Sequence, residues 1–180
     1  MNKRLALLLF ASLAACQTQS AEPPLAGARM GGPFELVNQD GATVTDQSLK
    51  GQYRLIYFGY SFCPDVCPVD VQNLMAGFRI FEKDRPTLAA KMQPIFITVD
   101  PERDTPPVLR QFVRTFHPRL MGLTGTPAQI AAVAGEYGVA YQKSPGATPG
   151  SYLVDHSRTA VLYGPEGAPI ALIQIGRAHV

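Results

Sequence analysis

Apolar residues along this chain fall into short continuous runs that alternate with stripes at helical spacing. "FELVNQDGATVT" places two short alternating segments around Asp40-Gly41 and predicts a hairpin. "YRLIYFGY" (Tyr53–Tyr60) is almost wholly aliphatic and aromatic, the pattern of a strand buried on both faces, and "MQPIFITVD" (Met92–Asp100) repeats it. Between them Val71, Leu74, Met75, Phe78 and Phe81 recur at three- and four-residue steps. A helix is therefore expected to begin near Cys63 or Pro64 and to run through "VDVQNLMAGFRIFEK". "TPPVLRQFVRTF" predicts a second helix, with Pro106 or Pro107 in its first turn. "TPAQIAAVAGEYG" predicts a third, with Thr126 as N-cap, Pro127 at the first helical position and an exit at Gly138. Tyr152–Asp155, Thr159–Tyr163 and Ile170–Ile173 read as strands, the last two joined by the turn "GPEGAP".

Strands alternating with helices imply an α/β fold of three layers around a central mixed, mainly parallel sheet. A strand running straight into a cysteine pair at a helix start points further, to a thioredoxin-like fold. Residues 33–174, roughly 140 in number, are enough for one sizeable core.

The ends read differently. Lys3 and Arg4 precede an apolar run from Leu5 to Ala15, too short to cross a bilayer as a helix, so residues 1–15 read as an export signal. Leu13-Ala14-Ala15-Cys16 resembles a bacterial lipobox, which makes Cys16 the expected lipidation site on the periplasmic side of a bacterial membrane. Gln17 gives no retention signal, so inner and outer membrane are both compatible. Residues 16–32, rich in proline and glycine, are expected to be a flexible tether. At the other end, the codons ATC GGA AGA GCA CAC GTC for Ile175–Val180 would match a common sequencing adapter. The expectation is a non-native tail over 175–180 in place of a terminal helix, and His179 is credited with no function.

Removing residues 1–15 takes away Lys3 and Arg4 and no acidic residue, so the formal charge of +2 falls to about zero. No clustered basic stretch suggests a nucleic-acid partner.

The chemistry concentrates in "FGYSFCPDVCPVD" (Phe58–Asp70). With Cys16 lipidated, Cys63 and Cys67 are the remaining two of three cysteines, and an exported location is oxidising. At i and i+4 on a helix they would share a face, with Cβ atoms about 5–6 Å apart. A helix N-terminus favours the thiolate, which binds metal or attacks disulfides. Thiolates select Cu(I) or zinc, and structural zinc wants four protein ligands where two sulfurs are on offer. An imidazole commonly completes a soft-metal site. His117 in "FHPRL" reads as a loop or capping residue. His156 in "SYLVDHSRT" sits in a loop between strands that could reach the cysteines, and the residues alone leave it open between ligand and polar loop residue.

"FGYSFCPDVCP" together with "VDPERDTP", "GLTG" and "YLVDHS" resembles the Sco family of copper-binding, thioredoxin-like proteins, over about residues 33 to 173. The resemblance implies a Cu(I)/Cu(II) site made by Cys63, Cys67 and His156. It implies delivery of copper to the copper-centre subunit of cytochrome c oxidase, or reduction of that centre's thiols, with another periplasmic copper chaperone or thiol reductant as a further partner. Asp65 and Asp155 flank the ligands and are candidates to orient them. Tyr60 and Phe62 are expected as walls, and Asp100–Pro106 as a charged loop or a docking surface. Ser61 stands where the family often has threonine. The alternative reading is a thiol–disulfide oxidoreductase using the same pair. Such enzymes usually have CxxC spacing and a proline before the facing strand, whereas here the spacing has one more residue and the loop reads Val154-Asp155-His156-Ser157-Arg158. Both features favour a copper carrier over an enzyme. "SFC" also lacks the Thr-x-x pattern of a peroxiredoxin nucleophile.

Overall fold

The computed structural model describes residues 22–175; the export signal, Cys16, residues 176–180 and with them His179 lie outside the described residues. The long apolar runs become β3 (Tyr53–Gly59) and β4 (Met92–Thr98), side by side and parallel from Tyr53↔Met92 to Gly59↔Thr98. The hairpin β1 (Glu35–Asn38) and β2 (Thr43–Thr45) joins through β5 (Met121–Thr124), which is parallel to β4. On the other side β8 (Ala160–Tyr163) and β9 (Pro169–Ile173) run antiparallel. The order is β2-β1-β5-β4-β3-β8-β9, parallel at its centre and antiparallel at both flanks.

Alternate residues of the central strands feed the two faces, as continuous apolar runs require. Tyr57 and Phe96 meet Val71, Met75 and Phe78 of α1 (Val66–Asp84), with the short α2 (Pro86–Ala89) following it, and Leu109 and Val113 of α3 (Pro106–Phe116). Ile56, Phe58, Ile95 and Ile97 face the other way, onto Ile130, Val133 and Ala134 of α4 (Pro127–Glu136). This is the three-layer, thioredoxin-like arrangement expected from the sequence. The cap of α4 forms as read: Thr126 Oγ1 accepts from Gln129 N–H at 3.2 Å and Gln129 Oε1 from Thr126 N–H at 2.9 Å. Gly138 leaves the helix at φ +67°.

Four features depart from the expectations. First, α1 starts at Val66, so Cys63 is not helical. The preceding turn is held by its own bonds, Cys63 N–H to Tyr60 O at 3.3 Å and Ser61 to Asp104. Second, β5 forms from "MGLT", where Gly122 lets α3 approach: a Cβ there would lie 3.0 Å from Val113 Cγ1. Third, polar "YQKSP" forms β6 (Tyr141–Pro145) by pairing with β7 (Tyr152–His156), a separate hairpin. Fourth, residues 22–32 are not a free tether. Leu25 and Met30 pack on the core, and Leu25 N–H donates to Ile170 O at 3.0 Å and Gly31 N–H to Glu136 O at 2.8 Å. No helix of the described residues is long and apolar enough to cross a membrane.

Candidate metal centre

The end of β3, the start of α1 and the end of β7 converge on one point. Cys67, fully buried in the first turn of α1, has its Sγ 3.0 Å from His156 Nε2. Gly59 makes room for it: a Cβ at that residue would stand 3.3 Å from the Cys67 sulfur and 2.9 Å from Tyr57 Cε1. His156 is the last residue of β7, opposite Tyr141, rather than in a loop. Its Nδ1 lies 3.0 Å from Ser157 O, so Nδ1 carries the proton and donates it there. The tautomer is thereby fixed, and the Nε2 lone pair points at Cys67. Edge-on rings of Tyr57 (6.2 Å) and Tyr60 (6.0 Å) enclose the imidazole.

Cys63, half-buried, approaches from the turn before the helix, and its Sγ accepts the N–H of Cys67 at 3.4 Å. The two thiols differ in character. Burial pushes Cys63 up, but the backbone N–H groups of Cys67, Asp65 and Val66 outweigh it and hold the thiol below its ordinary value. Burial pushes Cys67 up to about 12. His156 is lowered by its own burial, against the Ser157 carbonyl, and stays neutral. A protonated Cys67 therefore donates S–H to Nε2. Among the described residues no three such side chains are already spaced as a finished metal cage; Cys67 and His156 are in contact and Cys63 stands at the edge.

Two buried carboxylates brace the centre, and neither is one of the pair proposed from sequence. Asp65 and Asp155 are both exposed, and Asp65 makes no capping bond. Instead Asp70, 1% exposed on α1, accepts from Tyr57 Oη at 3.0 Å and from both Nε (3.0 Å) and Nη2 (2.7 Å) of Arg158. This fork ties the cysteine helix to the segment just after His156. Asp104, wholly buried, accepts from Ser61 N–H (2.9 Å), Ser61 Oγ (2.5 Å) and Thr98 Oγ1 (2.6 Å), fixing the turn that delivers Cys63. Burial still raises the Asp104 carboxyl, despite the Ser61 and Thr98 donors.

Asp100, equally buried, binds Arg103 and accepts from Tyr152 Oη at 2.8 Å, anchoring the β6–β7 hairpin. The Arg103 guanidinium lies 3.8 Å over Tyr152 and 5.2 Å from the half-exposed Phe62, which forms the rim. The Asp100–Pro106 loop is thus a brace. His117 is buried at the end of α3, 3.0 Å from Glu82 and away from the thiols. Asp104→Ala would strand three donors and is expected to lower stability by about 3 kcal/mol, roughly 10 °C in Tm. Thermal unfolding checks this, and a shift under about 3 °C would contradict the bracing role.

A family model described as SCO1/SenC matches residues 22–179. SenC of Rhodobacter capsulatus is 44% identical over 143 residues, 78% of this chain and 62% of SenC. The chain spans about half the length of the curated relatives it matches. The structure of Bradyrhizobium japonicum ScoI with copper bound superposes with a TM-score of 0.75 at 42% identity, over 82% of this chain and 91% of that one. BsSco, described as a member of the Sco family of cytochrome c oxidase assembly proteins with a disulfide switch, has a TM-score of 0.67 at 25% identity, over 89% of this chain and 90% of its own.

Proposed function

The chain belongs to the SCO1/SenC family, and from that premise we propose that it carries one copper ion on Cys63, Cys67 and His156 and passes it to the copper-centre subunit of cytochrome c oxidase. The observation that carries this reading is the 3.0 Å approach of Cys67 Sγ to an imidazole nitrogen whose lone pair faces that sulfur because the Ser157 carbonyl holds the ring proton on Nδ1. Two thiolates and one neutral imidazole make a soft donor set suited to Cu(I), and the imidazole also suits Cu(II). The ScoI structure with copper bound supports the same choice of cargo. Half-exposed Cys63 is the donor an incoming or departing ion meets first, while Cys67 and His156 form the enclosed end. Export, lipid attachment at Cys16 and a periplasmic site of action belong to the same proposal, with a copper-supplying chaperone or a thiol reductant as upstream partner.

A second reading has its own support in the unlike thiols. A lowered, accessible Cys63 next to a raised, buried Cys67 suits thiol–disulfide exchange. Cys63 thiolate would attack a substrate disulfide and release one substrate thiolate. Cys67, losing its proton, would then displace the second, leaving a Cys63–Cys67 disulfide and a reduced dithiol. The two roles are separated by mixing the anaerobically copper-loaded chain with the purified copper-centre subunit. Transfer of copper to a reduced acceptor supports the carrier. No transfer, beside stoichiometric reduction of an oxidised acceptor by the metal-free chain, would replace it with the reductase.

Copper must displace the Cys67 proton. Affinity for Cu(I) is therefore expected to rise at least about tenfold per pH unit between pH 6 and 8, with neutral His156 adding nothing above its lowered value. Competition against a chelator of known pH dependence measures the slope, and a flat profile would remove Cys67 from the ligand set.

A further inference from the structure

The continuous apolar run of β3 contains one charge, Arg54, at the end of the strand away from the cysteines. Strand alternation puts it in the row of Ile56 and Phe58, facing the α4 layer, and it is 3% exposed. Its Nη2 donates to Asp46 O at 3.1 Å, and its Nε is buried with no partner. Among the described residues no carboxylate pairs with it. The two acidic residues that share its cavity are otherwise placed: Asp46 accepts from Phe34 N–H (3.3 Å) and Gln47 Nε2 (2.7 Å), and Glu166 is exposed. Tyr163, the register partner of Arg54 across β3 and β8, also has a buried hydroxyl without a partner. A guanidinium this deep without an ion-paired carboxylate is costly, and its planar fork of donors matches an oxyanion.

Arg54 lines a cavity of about 430 Å³ with Arg29, Gly31, Tyr137 and Gly167, and Asp46 and Glu166 line it as well. A Cβ on Gly167 would sit 3.2 Å from Arg54 Nη1, so glycine at that position leaves the guanidinium unobstructed there. We propose that this cavity binds a phosphate-type oxyanion, free phosphate or the phosphate ester of a lipid headgroup, on the Arg54 fork, with Arg29 at its mouth. The site is separate from the copper centre: it lies at the opposite end of β3, about 16 Å along the strand.

Calorimetric titration of the full chain with inorganic phosphate and with glycerol phosphate, at ionic strength fixed by chloride, tests it. At least one of the two is expected to bind saturably with a Kd below about 1 mM and to raise Tm over the chloride control. Arg54→Gln, or Arg54→Lys if the glutamine variant does not fold, should weaken binding at least about tenfold. Tighter binding of the ester identifies a headgroup; binding of inorganic phosphate alone identifies the free anion. No saturable binding and no Tm rise in the wild type, or equal binding in the Arg54 variant, overturns the proposal.

Discussion

Replacing His156 by alanine is expected to lower copper affinity by at least about a hundredfold while the fold and both thiols are kept. His156 ends β7, in a two-stranded hairpin outside the main sheet, and its ring packs edge-on against Tyr57 and Tyr60 at the edge of the core. Its loss removes the neutral nitrogen that faces Cys67, and the remaining donors are two sulfurs of opposite temperament, one accessible and one buried. Altering the partners that merely orient a ligand typically costs 10–100-fold in metal affinity, and removing the ligand should exceed that. Thermal unfolding within a few degrees of wild type and an unchanged number of thiols that react on unfolding would show that the loss is local. Affinity within threefold of wild type would remove His156 from the site.

The second large effect is expected from Asp70→Ala. The change leaves the hydroxyl of Tyr57, a residue 2% exposed, without its acceptor and frees Arg158 from its fork. An unsatisfied buried hydroxyl and a lost charge-assisted pair together cost about 2–3 kcal/mol. Arg158 is two residues from His156, so its release also loosens the imidazole against Cys67, and copper affinity should fall about tenfold or more. Arg158→Ala tests the same link from its other end. The Arg158 side chain is 52% exposed, but its partner Asp70 is 2% exposed and would be left a buried carboxylate without its counter-charge, so stability should fall by about 3 kcal/mol as well. Affinity should still fall by a similar factor. Affinity unmoved in both variants would reduce Asp70 to a purely structural role.

The sequence carried the parts of this account that depend on local pattern. Continuous apolar runs marked β3 and β4 because a strand covered on both faces admits almost no polar residue. Thr126, Pro127 and Gly138 marked α4 because capping is written in a few neighbouring positions. Elements formed by tertiary pairing were silent. The four residues of β5 include a glycine whose reason is the approach of α3, and β6 is polar because only β7 gives it a partner. The same limit applied at the centre. Cys63, Cys67 and His156 could be picked out by residue type and by resemblance, and the structure brings them to one place. Their braces were not picked out: Asp70 sits inside a helical stripe and Asp104 in a charged loop, where composition does not distinguish a buried carboxylate from a solvated one. Asp65 and Asp155 were chosen for nearness in sequence, but strand alternation turns Asp155 away from the face that His156 occupies. A signal for Asp70 did exist, since an acidic residue three positions past Cys67 returns to the cysteine face of the helix.

X-ray absorption at the copper edge of the anaerobic one-to-one Cu(I) complex tests the central claim most directly. Two sulfur neighbours and one nitrogen neighbour, with the nitrogen lost in His156→Ala and one sulfur lost in either cysteine variant, are what the site described here predicts. Three or more sulfurs shared between chains, or a first shell unchanged by His156→Ala, would contradict it.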